Sequence, residues 1–592
     1  MTSENPTSGA IPSTRDVRYV IGVDVGTGSA RAGIFDLAGH MVASAKHDIT
    51  LFHASGSIVE QSSGEIWNAV CHAVKDALSQ AEVSPDQVDG IGFDATCSLV
   101  VLGEGGQPLP VGPSEQAERD IIVWMDHRAV EQAERINAAG HEVLKFVGGK
   151  ISPEMETPKL LWLIENKPDV FAAAWQFFDL TDFLTWRATG DLSRSTCTVT
   201  CKWTYLAHER RWDESYFRSV GLGVLADEGF ARIGQTVVDP GTPLGSGLTA
   251  NAAEALGLRA GTPVATGVID AHAGGIGTVG ANDEPESCLA YVFGTSSCTM
   301  TTTRSPVFVP GVWGPYFSAM VPDAWLNEGG QSVAGAAIER LLSMHPATPE
   351  ARRRAGHEGQ SLPVMLAALA VQAVQAAQVA PAARATHAAP AAQAAQAAQA
   401  ARTAPTAQAA QAAQATQTAD TLSASVTLAN GLHVVPEFLG NRAPFADPHA
   451  RAVIAGLGME DDLNSLIALY IAGICSIGYG LRQIIEAQAS AGAPIERVVI
   501  SGGAGQLDLV RQLLADATGK PVLATQAEEP VLLGAAMLGG VAGGRFDNVR
   551  SAMARMSRIS KTYEPATGDM AALHEARFRA FKKLQNVARE IR

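Results

Sequence analysis

One pattern occurs twice in this chain, and it restricts the fold more than any other feature. Tyr19-Val-Ile-Gly-Val-Asp24-Val-Gly-Thr-Gly-Ser-Ala-Arg31-Ala-Gly-Ile-Phe-Asp36 reads as an apolar strand running into Asp24, a turn of small residues, and a second strand through Arg31 to Phe35. Gly26, Thr27, Gly28 and Ser29 place backbone N–H groups and hydroxyls on the turn, with no bulk to block an anion. Asp24 ends the first strand, where a carboxylate can hold a hydrated Mg²⁺. Donors for phosphate oxygens and an acid for a metal are what a nucleoside triphosphate needs. Leu289 to Thr303 repeats the device: a strand, a Gly294-Thr295-Ser296-Ser297 turn, and a Thr-rich strand. Each hairpin is followed by an amphipathic helix. The stripe is Ile66, Val70, Ala73, Val74, Ala77 and Leu78 in the first half. It is Ala334, Ile338, Leu341, Leu342 and His345 in the second. A strand ending in small or acidic residues comes next in each, at Ile91 to Asp94 and at Val498 to Gly503. Matching order in two halves predicts a duplicated α/β architecture, with a nucleotide held between two phosphate hairpins.

At 592 residues, two large domains are expected, each able to bury a core. The chain carries 60 acidic against 44 basic side chains, which argues against a nucleic-acid or anionic-membrane surface. Residues 1–17 are polar and read as a disordered tail rather than a secretory signal. No apolar run reaches membrane-spanning length, and Tyr470 to Leu481 reads as part of a buried helix from about Asp461 to Ala491. Of seven cysteines, only Cys197 and Cys201 lie close together, without His partners at zinc spacing. Buried thiols in a reducing cytoplasm are expected. The first domain is placed at 18–278, the second at 286–544, and a helical extension at 545–592 with a last helix from about Met570 to Arg589. Val143 to Trp203 reads as helical and aromatic. From about Ala367 to Asp420 the sequence is Ala and Gln with a few Thr, Pro and Val. Alanine buries little, and Pro381, Pro390 and Pro405 break a long helix. Residues 367–420 are therefore read as a low-complexity surface insertion, disordered or partly helical, with a protruding helix for self-association as the other reading.

These separated motifs resemble the FGGY family of carbohydrate kinases, of the duplicated actin/Hsp70/sugar-kinase (ribonuclease H-like) α/β fold. The resemblance covers roughly residues 18 to 545 apart from the insertion. It implies ATP and Mg²⁺, with Asp24 on the metal. Gly26, Thr27, Gly28, Ser29, Arg31, Gly294, Thr295, Ser296 and Ser297 would serve the nucleotide. In Gly267-Val-Ile-Asp270-Ala-His272-Ala-Gly-Gly-Ile-Gly277 an acid ends a strand, and small residues open a helix whose N–H groups favour an anion. A sugar hydroxyl attacking a phosphoryl group needs a place for its proton. The resemblance gives that role to Asp270, with His272 orienting substrate or satisfying a cap. Ser501-Gly502-Gly503-Ala504-Gly-Gln506 is similar to the family's adenosine motif, because its glycines let a base or ribose approach the backbone. Trp124, Asp126 and Arg128 resemble a Trp-x-Asp-x-Arg sugar motif: an aromatic face covers C–H groups while Asp and Arg bond hydroxyls. Thr96-Cys97-Ser98-Leu99 resembles the D-ribulokinase branch, which makes Cys97 and Ser98 substrate candidates. Glu328 and Gln331 are further pocket candidates. Asn441 to Phe445 is either a cleft-lining loop or a turn. Lys159 sits in a helix entry behind Pro158 and is a candidate as well.

The resulting expectation is ATP-dependent phosphorylation of a pentulose at its terminal hydroxyl, D-ribulose to D-ribulose 5-phosphate. The partner would be a small sugar, with neither nucleic acid nor membrane, in a cytoplasmic enzyme that could form a homodimer. L-ribulose, ribitol, xylulose or a heptulose are the alternatives within that class. Outside it stand a non-catalytic sugar sensor and an Hsp70-like ATPase switch.

Overall fold

Both Gly-rich hairpins form between paired strands, and the two halves repeat one strand order around them. The structure is a computed structural model that describes residues 17–54, 56–280, 284–386, 418–429 and 431–592. In the first half, β1 (Tyr19–Val25) and β2 (Ser29–Asp36) pair antiparallel with Asp24 opposite Arg31. β3 (Met41–Asp48) extends the sheet. Helix α1 (Ser63–Ala81) starts at Ser62, whose side chain accepts from the Glu65 N–H, and buries the whole predicted stripe. β4 (Val88–Ala95) runs parallel to β1 and sets Asp94 beside Asp24. Helix α2 (Thr196–Lys202) precedes β5 (Val268–Ile269), which pairs parallel with β4 and feeds α3 (Asp270–Val279). The order β5-β4-β1-β2-β3 results.

The second half builds the same arrangement. β6 (Cys288–Phe293) and β7 (Ser297–Thr303) form the second hairpin. β8 (Trp313–Phe317) and β9 (Trp325–Gln331) follow, then α4 (Gly335–Ser343), α5 (Leu362–Thr386) and α6 (Leu463–Ser490). β10 (Arg497–Ser501) lies parallel to β6, and α7 (Asp508–Thr518) leads to β11 (Val522–Thr525). After α8 (Pro530–Ala542) come β12 (Ile559–Tyr563) and α9 (Gly568–Glu590). The sheet order is β8-β9-β7-β6-β10-β11-β12. Its core, β9-β7-β6-β10-β11, has the same pairing as β3-β2-β1-β4-β5, which is the duplication the sequence predicts. Helix α6 is long and apolar enough to cross a membrane, yet most of it is buried in the second core.

Two helices lock the halves together. α8 belongs to the second half by sequence but lies across β1 and β4 of the first, while α3 lies against β6. Contact is backbone to backbone. A Cβ on Gly22 would stand 1.9 Å from the Leu532 carbonyl oxygen, and one on Gly92 would stand 2.0 Å from that of Ala535. Where the helices cross, a Cβ on Gly277 would meet the Pro530 oxygen at 2.0 Å, and one on Gly534 the Ala273 oxygen at 2.0 Å.

Four expectations change. Within the predicted helical stretch 143–203, Ala174–Asp179 is a strand paired with Leu99–Gly103; its aromatics suit a sheet, and long-range pairing decides the conformation. The stretch after residue 544 is not only helical, because β12 closes the second sheet against β11 and α9 buries Phe578 and Phe581 in the second core. The insertion begins later than Ala367: α5 already starts at Leu362, Ala367 and Ala370 are buried in the second core, and Val374 is buried as well. α5 also runs through Pro381 to Thr386, where strong helix formers flank the proline. The centre of the insertion, 387–417, and the tail up to residue 16 lie outside the described residues.

Candidate active site

Asp24 and Asp270 line a cleft of about 330 Å³, and Asp94 lies buried beside Asp24. Asp24 closes β1, Asp94 sits next to it on β4, and Asp270 opens α3. Asp24 Oδ2 accepts from Arg31 Nε at 2.9 Å, and the Arg31 guanidinium also donates to Glu529 Oε2 at 2.7 Å. Arg31 therefore braces the base of the hairpin. Asp94 is fully buried, and neither of its carboxylate oxygens has a hydrogen-bond partner among the described residues. Burial, then the charges of Asp24 and Asp270, push its carboxyl well above the usual range. Burial, then Asp24, raise Asp270 to about 6. The Ala271 N–H donates to Asp270 Oδ1 at 2.7 Å. An oxygen-only set with an unsatisfied buried carboxylate is the chemistry that suits a hard divalent cation such as Mg²⁺. Sequence reading singled out Asp24 for this and passed over Asp94; its register opposite Asp24 is the signal.

The hairpins face this cleft. Gly26 and Thr27 line the cleft, and Gly28 is exposed with open space where a Cβ would point. On the second hairpin Ser296 lines the cleft and Thr295 is exposed. The Thr295 carbonyl accepts from the Ala334 and Ala336 N–H groups at 2.9 and 3.0 Å, which welds the turn to the start of α4. Gly294, Gly335 and Ala504 come together there, since a Cβ on Gly335 would lie 2.6 Å from the Gly294 oxygen and 3.5 Å from Ala504 Cβ. Gly502 has φ +94°, and Gly503 opens onto free space. The predicted adenosine turn thus sits beside the second hairpin, with Gln506 exposed at its end. Ser297 turns inward instead: its hydroxyl donates to Gln331 Oε1 at 3.1 Å and accepts from the Gln331 N–H at 3.1 Å.

Beside the first hairpin, Trp124, Cys97 and Thr96 face the cleft, but Ser98, Asp126 and Arg128 do not. Ser98 is buried and accepts from the Trp124 N–H at 3.1 Å. Asp126 is buried behind Trp124, taking the Val59 N–H at 2.6 Å and Arg128 Nε at 2.9 Å. The Arg128 guanidinium, also buried, bonds Glu60 at 3.0 Å and the Val111 carbonyl at 2.8 Å. Buried charges have to be paired, and this network consumes them. The expected hydroxyl-binding roles of Ser98, Asp126 and Arg128 are therefore corrected: they hold Trp124, whose indole N–H reaches Thr27 Oγ1 at 3.0 Å. Gln331 is likewise structural, accepting from the Tyr291 hydroxyl and donating to the Ile477 carbonyl. Lys159 is buried against Glu156.

The polar sugar-sized end of the cleft is built from residues that sequence reading missed or named only in passing. Glu328 on β9 faces Lys202 at the end of α2, with Glu154, Trp313 and Arg442 around them. Lys202 and Arg442 stand 5.8 and 5.3 Å from the Trp313 ring centre. Burial opposes the Lys202 charge, but Cys97, Glu328 and other acidic neighbours hold its ammonium well above the usual range. His272 is buried and does not line the cleft; its Nε2 contacts Glu328 Oε2 at 3.3 Å and its Nδ1 contacts Cys197 Sγ at 3.0 Å. Burial would raise Glu328, yet His272 holds it down at about 2. His272 thus acts on the cleft through Glu328. Its signal in sequence was only its place two residues after Asp270.

Residues 19–277 match the N-terminal domain of the FGGY family of carbohydrate kinases, and residues 289–543 its C-terminal domain. The chain is 41% identical over 578 residues to an FGGY carbohydrate kinase domain-containing protein of Homo sapiens, across 96% of each. It is 34% identical to a D-ribulokinase of Saccharomyces cerevisiae, across 93% of this chain and 75% of that one. Among solved structures, a xylulose kinase from Rhodospirillum rubrum matches with a TM-score of 0.73 at 20% identity, over 97% of this chain and 99% of that one. That likeness bears on the fold.

Proposed function

The chain belongs to the FGGY family of carbohydrate kinases, and on that premise we propose that it transfers the γ-phosphoryl group of ATP to the terminal hydroxyl of a pentulose, D-ribulose first among them. One observation carries the reading: Asp270 opens α3 in a cleft that both phosphate hairpins face. Its carboxylate takes the proton of the attacking hydroxyl. Trp124 and Cys97 cover the apolar side of the sugar, while Lys202, Glu328 and Arg442 bond its hydroxyls and carbonyl. Gly26 to Gly28 and Gly294 to Ser296 receive phosphate oxygens on backbone N–H groups and hydroxyls. Asp24 and Asp94 would hold Mg²⁺, whose charge offsets that of the phosphates. Water exclusion on closing limits wasteful hydrolysis of ATP. The substrate preference draws on the 34% identical D-ribulokinase and on the small, apolar Cys97 at the sugar wall. The reading includes a cytoplasmic enzyme acting on a free sugar.

A coupled ADP-release screen over pentuloses, pentitols and heptuloses tests it. D-ribulose is expected to give the highest kcat/KM, because a stereoisomer that leaves buried polar groups unpaired loses about 1–3 kcal/mol per group. D-xylulose or glycerol beating D-ribulose by about tenfold overturns the substrate and leaves a sugar kinase. Sugar binding without ADP formation overturns catalysis itself and favours a sensor. ATP hydrolysis that responds to peptide rather than sugar favours a switch.

A further inference from the structure

Behind the cleft wall lies a second cluster that the kinase reading does not use. Cys197 and Cys201 stand one turn apart on α2, and His272 lies on α3. All three are buried, and one ligand atom from each lies within 4.8 Å of the others. Tetrahedral thiolate–imidazole coordination of Zn²⁺, with bonds of about 2.3 Å to sulfur and 2.0–2.1 Å to nitrogen, places its ligand atoms roughly 3.5–4 Å apart. Small side-chain rotations bridge that difference.

The surroundings are those of a metal site as well. A histidine that ligates through one ring nitrogen generally donates from the other to a carboxylate, which fixes its tautomer and orientation. Here Nδ1 points at Cys197 Sγ, 3.0 Å away, and Nε2 points at Glu328 Oε2, 3.3 Å away. The Ile269 N–H donates to Cys197 Sγ at 3.3 Å, an arrangement that steadies a thiolate. Oxygen ligands are absent from the triad, so it selects a soft or borderline ion over Mg²⁺.

Charge balance permits the exchange. Burial alone would raise the Cys197 thiol, but the Cys201 thiol and the His272 ring pull it below its ordinary value. Burial would lower His272, and Cys197 then Glu328 raise it. Ligation takes two thiolates and a neutral imidazole, so protons held on Cys197, Cys201 and His272 leave for solvent as the ion binds. Two thiolates, a neutral imidazole and a divalent ion sum to zero charge, so no uncompensated charge enters the interior.

We propose that Cys197, Cys201 and His272 form a binding site for a thiophilic divalent ion of the Zn²⁺ class, clamping α2 to α3 behind the catalytic cleft. The clamp joins the helix that ends in Lys202 to the helix that begins with Asp270. It does not depend on which sugar the cleft takes.

The test uses the full chain, reduced and stripped with a chelator, in excess Mg²⁺. Cd²⁺ is titrated while the ultraviolet thiolate-to-Cd²⁺ charge-transfer band is followed. One ion per chain is expected, with protons released in weak buffer as it binds. Cys201→Ser should lower the band by about half and weaken binding by at least about tenfold. Zn²⁺ should raise the thermal unfolding temperature of the unmodified chain and not that of the variant. No band, or a band of equal size and affinity in Cys201→Ser, overturns the proposal, since the other cysteines would then be its source. Should that variant not fold, X-ray absorption on the Zn²⁺-loaded unmodified chain decides: a shell of two sulfurs and one nitrogen supports the site, and a shell without sulfur overturns it.

Discussion

Asp270 and Asp94 differ by a hydrogen bond, and that difference separates their expected roles. Asp270 receives the Ala271 N–H and is raised to about 6; among the described residues no group donates a hydrogen bond to Asp94. The base form of Asp270 is the carboxylate, so kcat/KM should rise with pH through about 6 and level off above it. Asp270→Asn should remove that limb and lower kcat by about 10²- to 10⁴-fold while ATP binding stays near normal; a variant with near-normal turnover removes Asp270 from the mechanism. Asp270, Thr27 and Trp124 were legible in sequence because each ends a strand or sits on a turn of recognisable composition. Asp126, Arg128 and Ser98 were legible only as a motif. Which way a side chain points depends on partners from Val59, Glu60 and Val111, and no local pattern carries that. Arg442 was legible only within Asn441 to Phe445, as either a cleft-lining loop or a turn, and Lys202 was not legible as a site residue, since the end of α2, β9 and the loop before α6 meet only through tertiary packing.

At the scale of elements, periodicity performed well where a face is buried and poorly where composition is monotonous. The stripe of α1 appears whole, and α4 buries Ile338, Leu341 and Leu342 of its predicted stripe, while Ala334 precedes the helix and His345 lies past its end. From Ala367 on, α5 reads as a disordered or partly helical insertion because alanine gives a weak stripe, yet Met365, Leu366, Ala367 and Ala370 anchor the helix in the second core. Deleting 367–420, which an insertion reading would allow, should therefore unfold the second half. Replacing only 387–417 with a short Gly/Ser linker should leave kcat/KM within about threefold, as measured by the ADP-release assay. Leu366→Ala, by contrast, should cost about 2–5 kcal/mol in denaturant unfolding, because Leu366 is fully buried. The missed strand Ala174–Asp179 belongs to the same lesson: a partner over 70 residues earlier in the chain, Leu99–Gly103, decided its state.

The whole molecule is one interlocked unit, although its sequence divides cleanly near residue 280. α8 supplies the cover for β1 and β4, and glycines at the contact leave no room for a side chain. Gly534→Ala should force α3 and α8 apart, costing about 1–3 kcal/mol and lowering sugar turnover with it. Expressed alone, segments 1–280 and 284–592 should each be insoluble, and together they should restore a soluble, active pair; a soluble first segment would contradict the shared core. Synthesis on the ribosome adds a clock to this arrangement. Gly92 emerges about 440 residues before Pro530, and at about 5–20 residues per second its partner helix arrives roughly 20–90 s later. For that interval the backbone-bare face of the first sheet waits in the crowded cell with nothing of its own chain to cover it.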